Sequence, residues 1–458
     1  MAMSTLFNIG IFIGGKGMTL SNRFEFYGEK DLNYDFKGGD LSANGGMLLV
    51  REFDEKLGFS KKVSELITDN RNPDYIDYEI IDMLRERLYF MIAGHEDCND
   101  VRYLKEDPTF QSIIKNDSKK SQEIMASQPT LSRFENGVTW TDIKKIIRWS
   151  IDFWLDQFES EPEQMIMDFD TTDDPCHGNQ QLALFHGYYG QKMYHPLIVT
   201  CNGQVILALL RPGRYHSNKY THWILSFLVQ RIRSKYPNVK LVFRADSGFA
   251  APKIYEYLES NNIEYVIGMI TNSTLKRKNE SLIQKAKSQF NETAEKVRLF
   301  QSFEYKAESW PKERRVIAKA EVTEQGENNR FIVTNNQEAS PMELYDDSYC
   351  QRGCMENDIK EAKNNCFADR LSCESFKANQ FRLLLSTLVY QFLFYMRRMM
   401  KTTPLESVSL QSIRLSLFKV AVQVKESTRK LWFRFCSSFP YQEHFLKIHQ
   451  SILSFNPP

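Results

Sequence analysis

What this chain lacks narrows it before any motif is read. Its eight cysteines, Cys98, Cys176, Cys201, Cys350, Cys354, Cys366, Cys373 and Cys436, include no CxxC pair. Neither a zinc ribbon nor a secreted disulfide framework has such spacing, so all eight read as reduced intracellular thiols. His177, His186, His195 and His216 fall close together, but no carboxylate or cysteine spacing joins them into a zinc site. They read as core or hydrogen-bonding histidines. Net charge is nearly absent, +1 over 458 residues, so the sum neither supports nor excludes a nucleic-acid partner. No apolar run reaches the ~20 residues that span a bilayer. The best candidate, Leu383 to Met396, contains Ser386, Thr387 and Gln391 and reads as a buried core helix. The opening MAMSTLFNIGIFIGG has no basic leader and no clear cleavage site. A cytoplasmic protein with no membrane segment is expected.

A chain this long needs more than one core. From about Gly46 to Trp154 apolar residues recur at spacings of three and four, so residues 1–160 are expected to be a mainly helical DNA-binding or dimerisation region. The texture changes at Glu163. MIMDFD reads as a strand, and Asn202-Gly203 marks a hairpin between strands at Tyr194–Thr200 and Val205–Leu210. A helix near Tyr220–Tyr236, a strand at Val239–Asp246, a helix at Pro252–Asn261 and a strand at Tyr265–Ile270 follow. That order predicts a mixed α/β sheet over 161–272. Residues 273–335 are charged and then strand-like, as a β-rich insertion would be. Residues 336–400 resume the main body, and 401–458 read as a basic helical region. From Lys377 to Pro458 there are twelve Lys/Arg against three Glu, a local balance of +9.

Three acids stand where chain ends would bring them together: Asp170 closes one strand, Asp246 closes another, and Glu356 sits on a helix. Such an all-oxygen cluster suits Mg²⁺, with Mn²⁺ as a substitute, and in-line displacement at a phosphodiester. In DFDTTDDP, strand alternation puts Asp168 and Asp170 on one face; Asp170 is the favoured ligand and Asp168 the second choice. Asp173 and Asp174, before Pro175, read as turn residues. The same DxDxT fits the start of a phosphatase with Asp168 as nucleophile, but RADSGF is a poor match to the downstream acids that chemistry needs.

Between Tyr349 and Lys363, the residues Tyr349, Arg352, Glu356 and Lys363 fall at offsets 0, 3, 7 and 14. On a uniform α-helix they lie within a stripe about 60° wide. A solvated helix face could carry this stripe, but so could a site that holds a metal beside a phosphate backbone. The spacing matches the Y-(2)-R-(3)-E-(6)-K signature, and the chain resembles the DDE transposases of bacterial insertion sequences. DFDTTDDPCHGNQQ, HGYYGQKMYHPLIV, LRPGRYHS, FRADSGF, YCQRGCMEN and ADRLSCESFKANQFRL resemble the insertion sequence 1380 family in particular, over about Asp97 to Tyr390.

The resemblance implies an RNase H-like catalytic core with a β-rich insertion between the second Asp and the Glu. It implies Asp170, Asp246 and Glu356 as the Mg²⁺-binding catalytic triad, with Tyr349, Arg352 and Lys363 on DNA phosphates. The activity it implies is cut-and-paste transposition: strand cleavage at terminal inverted repeats, then strand transfer to target DNA. Because two element ends must meet, a homodimer on double-stranded DNA is expected. Trp310, in the insertion, resembles in its place an aromatic that can stack on a flipped base in related transposases, but an ordinary packed or surface Trp is the better reading of its neighbourhood. A transposase-derived DNA-binding protein that no longer cleaves is the non-catalytic alternative.

Overall fold

The computed structural model describes residues 23–24, 30, 32–114 and 124–457. The N-terminal region holds α1 (Met47–Leu57), α2 (Ile80–Ala93) and α3 (Trp140–Leu155), with a further helix at Gln128–Gly137 that carries Pro129 in its first turn. Gly58 and Gly94, with φ of 61° and 99°, end α1 and α2 in the left-handed conformation that glycine adopts without steric cost. Helix α2 is not amphipathic. Arg85, Glu86 and Arg87 are buried along with its apolar residues.

The sheet begins with β1 (Gln164–Thr171), β2 (Leu197–Cys201) and β3 (Gln204–Leu209), an antiparallel meander. Asn202 and Gly203 both have positive φ, as a tight two-residue hairpin turn requires. Helix α4 (Thr221–Lys235) crosses to β4 (Lys240–Ala245), and α5 (Pro252–Ser260) crosses to β5 (Glu264–Met269). Strands β1, β4 and β5 run parallel, with helices in the connections that parallel pairing needs.

Residues 273–335 differ from a purely β-rich insertion. They begin with a 21-residue helix, α6 (Ser273–Thr293), which packs a thin apolar line of Leu275, Ile283 and Ala286 against the sheet. The expected strands follow as β6 (Val297–Tyr305), β7 (Arg314–Thr323) and β8 (Gly326–Thr334). They are continuous with the main sheet, because β8 pairs antiparallel with β5 through Val266↔Thr334 and Met269↔Phe331. The eight-stranded order is β6-β7-β8-β5-β4-β1-β2-β3.

The expected uniform helix from Tyr349 to Lys363 is broken. Leu344–Tyr349 is a π-helical turn, Cys350–Arg352 is a 3-10 turn, and the α-helix proper, α7, spans Gly353–Cys366. The fixed 100° per residue therefore fails for Tyr349, since π and 3-10 turns rotate by different steps. Helix α8 (Phe376–Met396) is buried nearly throughout and packs on β3. Several of its polar residues are paired: Gln380 Oε1 accepts from Leu210 N at 2.8 Å, and Thr387 Oγ1 donates to Leu383 O at 2.9 Å. Among the described residues, no helix is long and apolar enough to cross a membrane. The C-terminal stretch is not helical throughout, for Val422–Ser427 and Lys430–Phe435 pair as an antiparallel hairpin. Val422, Val424, Phe433 and Phe435, two apart on each strand, supply the inward face that makes this basic segment a hairpin and not helices.

Candidate active site

The parallel pairing of β1 and β4 places two acids side by side. Arg244 is in register with Asp168 and Ala245 with Phe169, so one residue further on Asp246 stands beside Asp170. Asp168 and Asp170 share a side of β1 but not a role. Asp168 is buried in a bidentate pair, with Arg244 Nε donating to Oδ1 at 2.7 Å and Nη2 to Oδ2 at 2.6 Å. Arg244 Nη1 also donates to Ser348 O at 2.9 Å, tying both strands to the turn that leads into α7. With both oxygens engaged, Asp168 is poorly placed to attack a phosphorus atom, as the phosphatase alternative requires. It positions the strand ends.

Asp170 looks out from the end of β1. Its Oδ1 accepts from Thr171 N at 2.8 Å and its Oδ2 from Arg352 Nη1 at 2.7 Å. Burial raises its pKa; Arg352 opposes that shift and the charge of Asp246 adds to it. Asp246 Oδ1 accepts from Gly248 N at 2.8 Å, which fixes the turn after β4. Tyr349 sits beside this pair: burial raises its phenol pKa, Arg352 lowers it and Asp246 raises it. Lys363 reaches back from the last turn of α7, donating to Thr172 Oγ1 at 2.9 Å and Asp173 O at 2.8 Å. Two acids, two cations and a phenol thus meet at the ends of β1 and β4. A sequence model of the transposase DDE domain group 1 family matches residues 24–457.

The chain belongs to this family. No curated protein matches it. The match to the DDE transposase family spans the acids, the 273–335 segment and the C-terminal hairpin alike.

Not every residue expected at the site of this DDE transposase domain gathers there. Glu356 lies in the first turn of α7 with its side chain exposed, and it makes no hydrogen bond or ion pair among the described residues. Among those residues, no group of three or more His, Cys, Asp or Glu forms a metal-holding cluster. Three full negative charges repel at close range, and here the positive charge beside Asp170 comes from Arg352. Trp310 is elsewhere. It is 6% exposed and packed edge-on against Tyr255 and Tyr305, with Arg314 over its ring at 5.2 Å. Its surroundings make it a core residue with no face open to a base.

Other residues emerge only from the fold. Tyr189, on the hairpin between Leu184–His186 and Gln191–Tyr194, stands near the acids: its phenol pKa is raised by burial and then by Asp173, Asp170, Tyr188 and Asp246. Asp174, expected in a turn, is buried in a short strand, and burial pushes its carboxyl up to about 8 although Lys363 opposes it. Gly268 had a sequence signal, a glycine inside the strand YVIGMI. A Cβ there would stand 2.5 Å from Tyr349 Oη and 3.0 Å from Ser247 N. Gly268→Ala is therefore expected to push Tyr349 or the Asp246 turn out of place. A loss of roughly 1–3 kcal/mol should appear in urea unfolding, as overpacking costs. An unchanged midpoint would show that the phenol moves aside freely.

Proposed function

We propose that this chain is a metal-dependent transposase that cuts DNA at the terminal inverted repeats of its own element and joins the freed 3′ end to target DNA. The observation that carries the reading is the pairing of Asp170 and Asp246 on adjacent parallel strands, beside Arg352, in a chain of the DDE transposase family. The strand order β3-β2-β1-β4-β5, with β1, β4 and β5 parallel, supports an RNase H-like core. The spacing of Tyr349, Arg352, Glu356 and Lys363 supports the insertion sequence 1380 branch.

The two strand-end acids have the oxygen chemistry a hard divalent cation takes, though the third acid is not gathered with them. Asp170 and Asp246 offer carboxylate oxygens at neighbouring strand ends, and Glu356, exposed on α7 with no competing partner, would have to close on them to serve as the third donor. Mg²⁺ held there, or Mn²⁺ in its place, would polarise the scissile phosphate and lower the pKa of the attacking water or 3′-hydroxyl. Arg352 and Lys363 would exchange their intramolecular partners for DNA phosphates, and the Tyr349 hydroxyl would donate a further hydrogen bond. These contacts orient the backbone for in-line attack without a covalent enzyme intermediate. Since two element ends must be handled together, a homodimer on double-stranded DNA is the working form.

The test is strand cleavage of a duplex carrying the element's own ends in Mg²⁺, comparing wild type with Glu356→Ala. Cuts at the element boundary that disappear in the variant are the expected result. Specific binding without cutting by the wild type would leave a DNA-binding relic and remove the enzyme.

A further inference from the structure

The C-terminal hairpin has two faces of opposite character. Cross-strand pairing places Gln423 with Arg434, Lys425 with Trp432, and Ser427 with Lys430 on one face. Val422 with Phe435, Val424 with Phe433, and Glu426 with Leu431 occupy the other. The second face is turned to the body: Val422 and Val424 are buried, and the Phe435 ring lies 4.9 Å from Phe445 of the helix Gln442–Ser454. The first face therefore points outward, and a one-residue slip in register would reverse both.

That outward face carries Lys425, Lys430 and Arg434, with Arg429 at the turn and no acid; the hairpin's single acid, Glu426, belongs to the other face. None of the four cations forms an ion pair among the described residues, whereas many cations elsewhere in the chain do. Trp432 stands among them 52% exposed, with Lys430 Nζ 5.7 Å from its ring centroid. A ribbon that served only solubility would have no use for a half-exposed tryptophan. Unpaired cations around a flat aromatic match a polyanion that also has faces to pack on. At its base the hairpin pairs with Leu41–Ser42 through Gln423↔Leu41 and Val422↔Ser42, and from Lys425 to Trp432 it continues as a two-stranded ribbon, narrow enough to enter a DNA major groove about 12 Å wide.

We propose that the outward face of this hairpin is a duplex-DNA contact surface, in which Lys425, Arg429, Lys430 and Arg434 hold phosphates and Trp432 packs against the groove edge. The choice of DNA as the polyanion rests on the transposase reading; the surface itself rests on the hairpin. It is a second area of contact, separate from the acids at the ends of β1 and β4.

The experiment is fluorescence anisotropy of a labelled random-sequence duplex across a salt series, with wild-type protein, Lys425→Ala/Arg434→Ala, and the milder Lys425→Gln/Arg434→Gln. Each lost phosphate contact lowers the slope of log K against log salt by about 0.9. The double variants are expected to flatten it by about 1.8 and to weaken binding at low salt by tenfold or more, with unchanged thermal melting. Trp432 should account for a change in protein fluorescence on adding duplex, absent in Trp432→Phe. Wild-type slope and affinity in both double variants would overturn the proposal. So would a loss of dimer on gel filtration with DNA binding intact, which would make the face a subunit contact. Wild type that binds through this face but never cuts an element end keeps the ribbon and removes the transposase reading. Wild type that cuts, with double variants that bind as it does, removes the ribbon alone.

Discussion

Asp170→Asn and Asp246→Asn should each reduce Mg²⁺-dependent cleavage of element ends by about 10³-fold or more while the protein stays folded. Loss of a metal-bound carboxylate forfeits several kcal/mol of stabilisation of the reacting phosphate, and about 4 kcal/mol corresponds to that factor. Folding should be affected far less, for two reasons that act in opposite directions. The two acids stand side by side and burial raises the pKa of Asp170, so removing one charge relieves repulsion. Asp170 also loses a charge-assisted bond from Arg352, an interaction worth roughly 1.5–3 kcal/mol when intact. Asp168→Asn gives the opposite signature, because its carboxylate is spent on Arg244 in the interior: stability should fall more than it does in either of the other variants. Gel-resolved cleavage and thermal melting on the same preparations read both quantities. Full cleavage by Asp246→Asn would falsify its place among the acids.

The largest expected loss of stability lies far from those acids. Glu135 accepts from Arg87 Nε at 2.7 Å and lies 3.2 Å from Arg382 Nε, and its own side chain is 2% exposed. It thereby joins α2, α8 and the helix Gln128–Gly137 through one carboxylate. Glu135→Ala would leave the enclosed Arg87 without a carboxylate, while Arg382 keeps Asp97 at 3.1 Å, and breaking a buried pair from one side costs about 3–5 kcal/mol. Urea unfolding followed by circular dichroism is expected to show that loss, a large part of the 5–15 kcal/mol that most domains possess. Glu135→Gln should recover part of it by keeping one acceptor. A loss below about 1 kcal/mol would mean that solvent reaches the arginines once the carboxylate is gone.

How legible these features were depended on the range of the forces involved. Asn202-Gly203 announced its hairpin because a local backbone requirement decides it. Asp170 and Asp246 were legible as strand ends, since alternation and strand length are also local. The offsets of Tyr349, Arg352 and Lys363 were legible, but the π and 3-10 turns before Gly353 were not, for nothing nearby marks them. Helix α6 hid behind its charge, as few of its residues are buried. Trp310 had a sequence neighbourhood that suited DNA, yet its burial depends on Tyr255 and Tyr305, 55 and 5 positions away. The C-terminal hairpin was obscured by composition and by an alternation that holds only in part: Val422–Lys425 and Phe433–Phe435 alternate, while Lys425-Glu426-Ser427 and Leu431-Trp432-Phe433 interrupt the period.

The continuity of β8 with β5 has a consequence for how the chain is made. The backbone groups of Val266–Met269 that β8 will cap wait for Phe331–Thr334, more than sixty residues downstream. At a synthesis rate of about 5–20 residues per second, that edge stands open for roughly 3–12 s on the ribosome. An open parallel strand invites pairing with any neighbouring nascent chain. Within that interval α6 and the two hairpins of β6–β8 can form from local contacts alone, so the cap arrives already assembled. An amino-acid change that slows the meander lengthens the exposure without altering one contact of the finished protein.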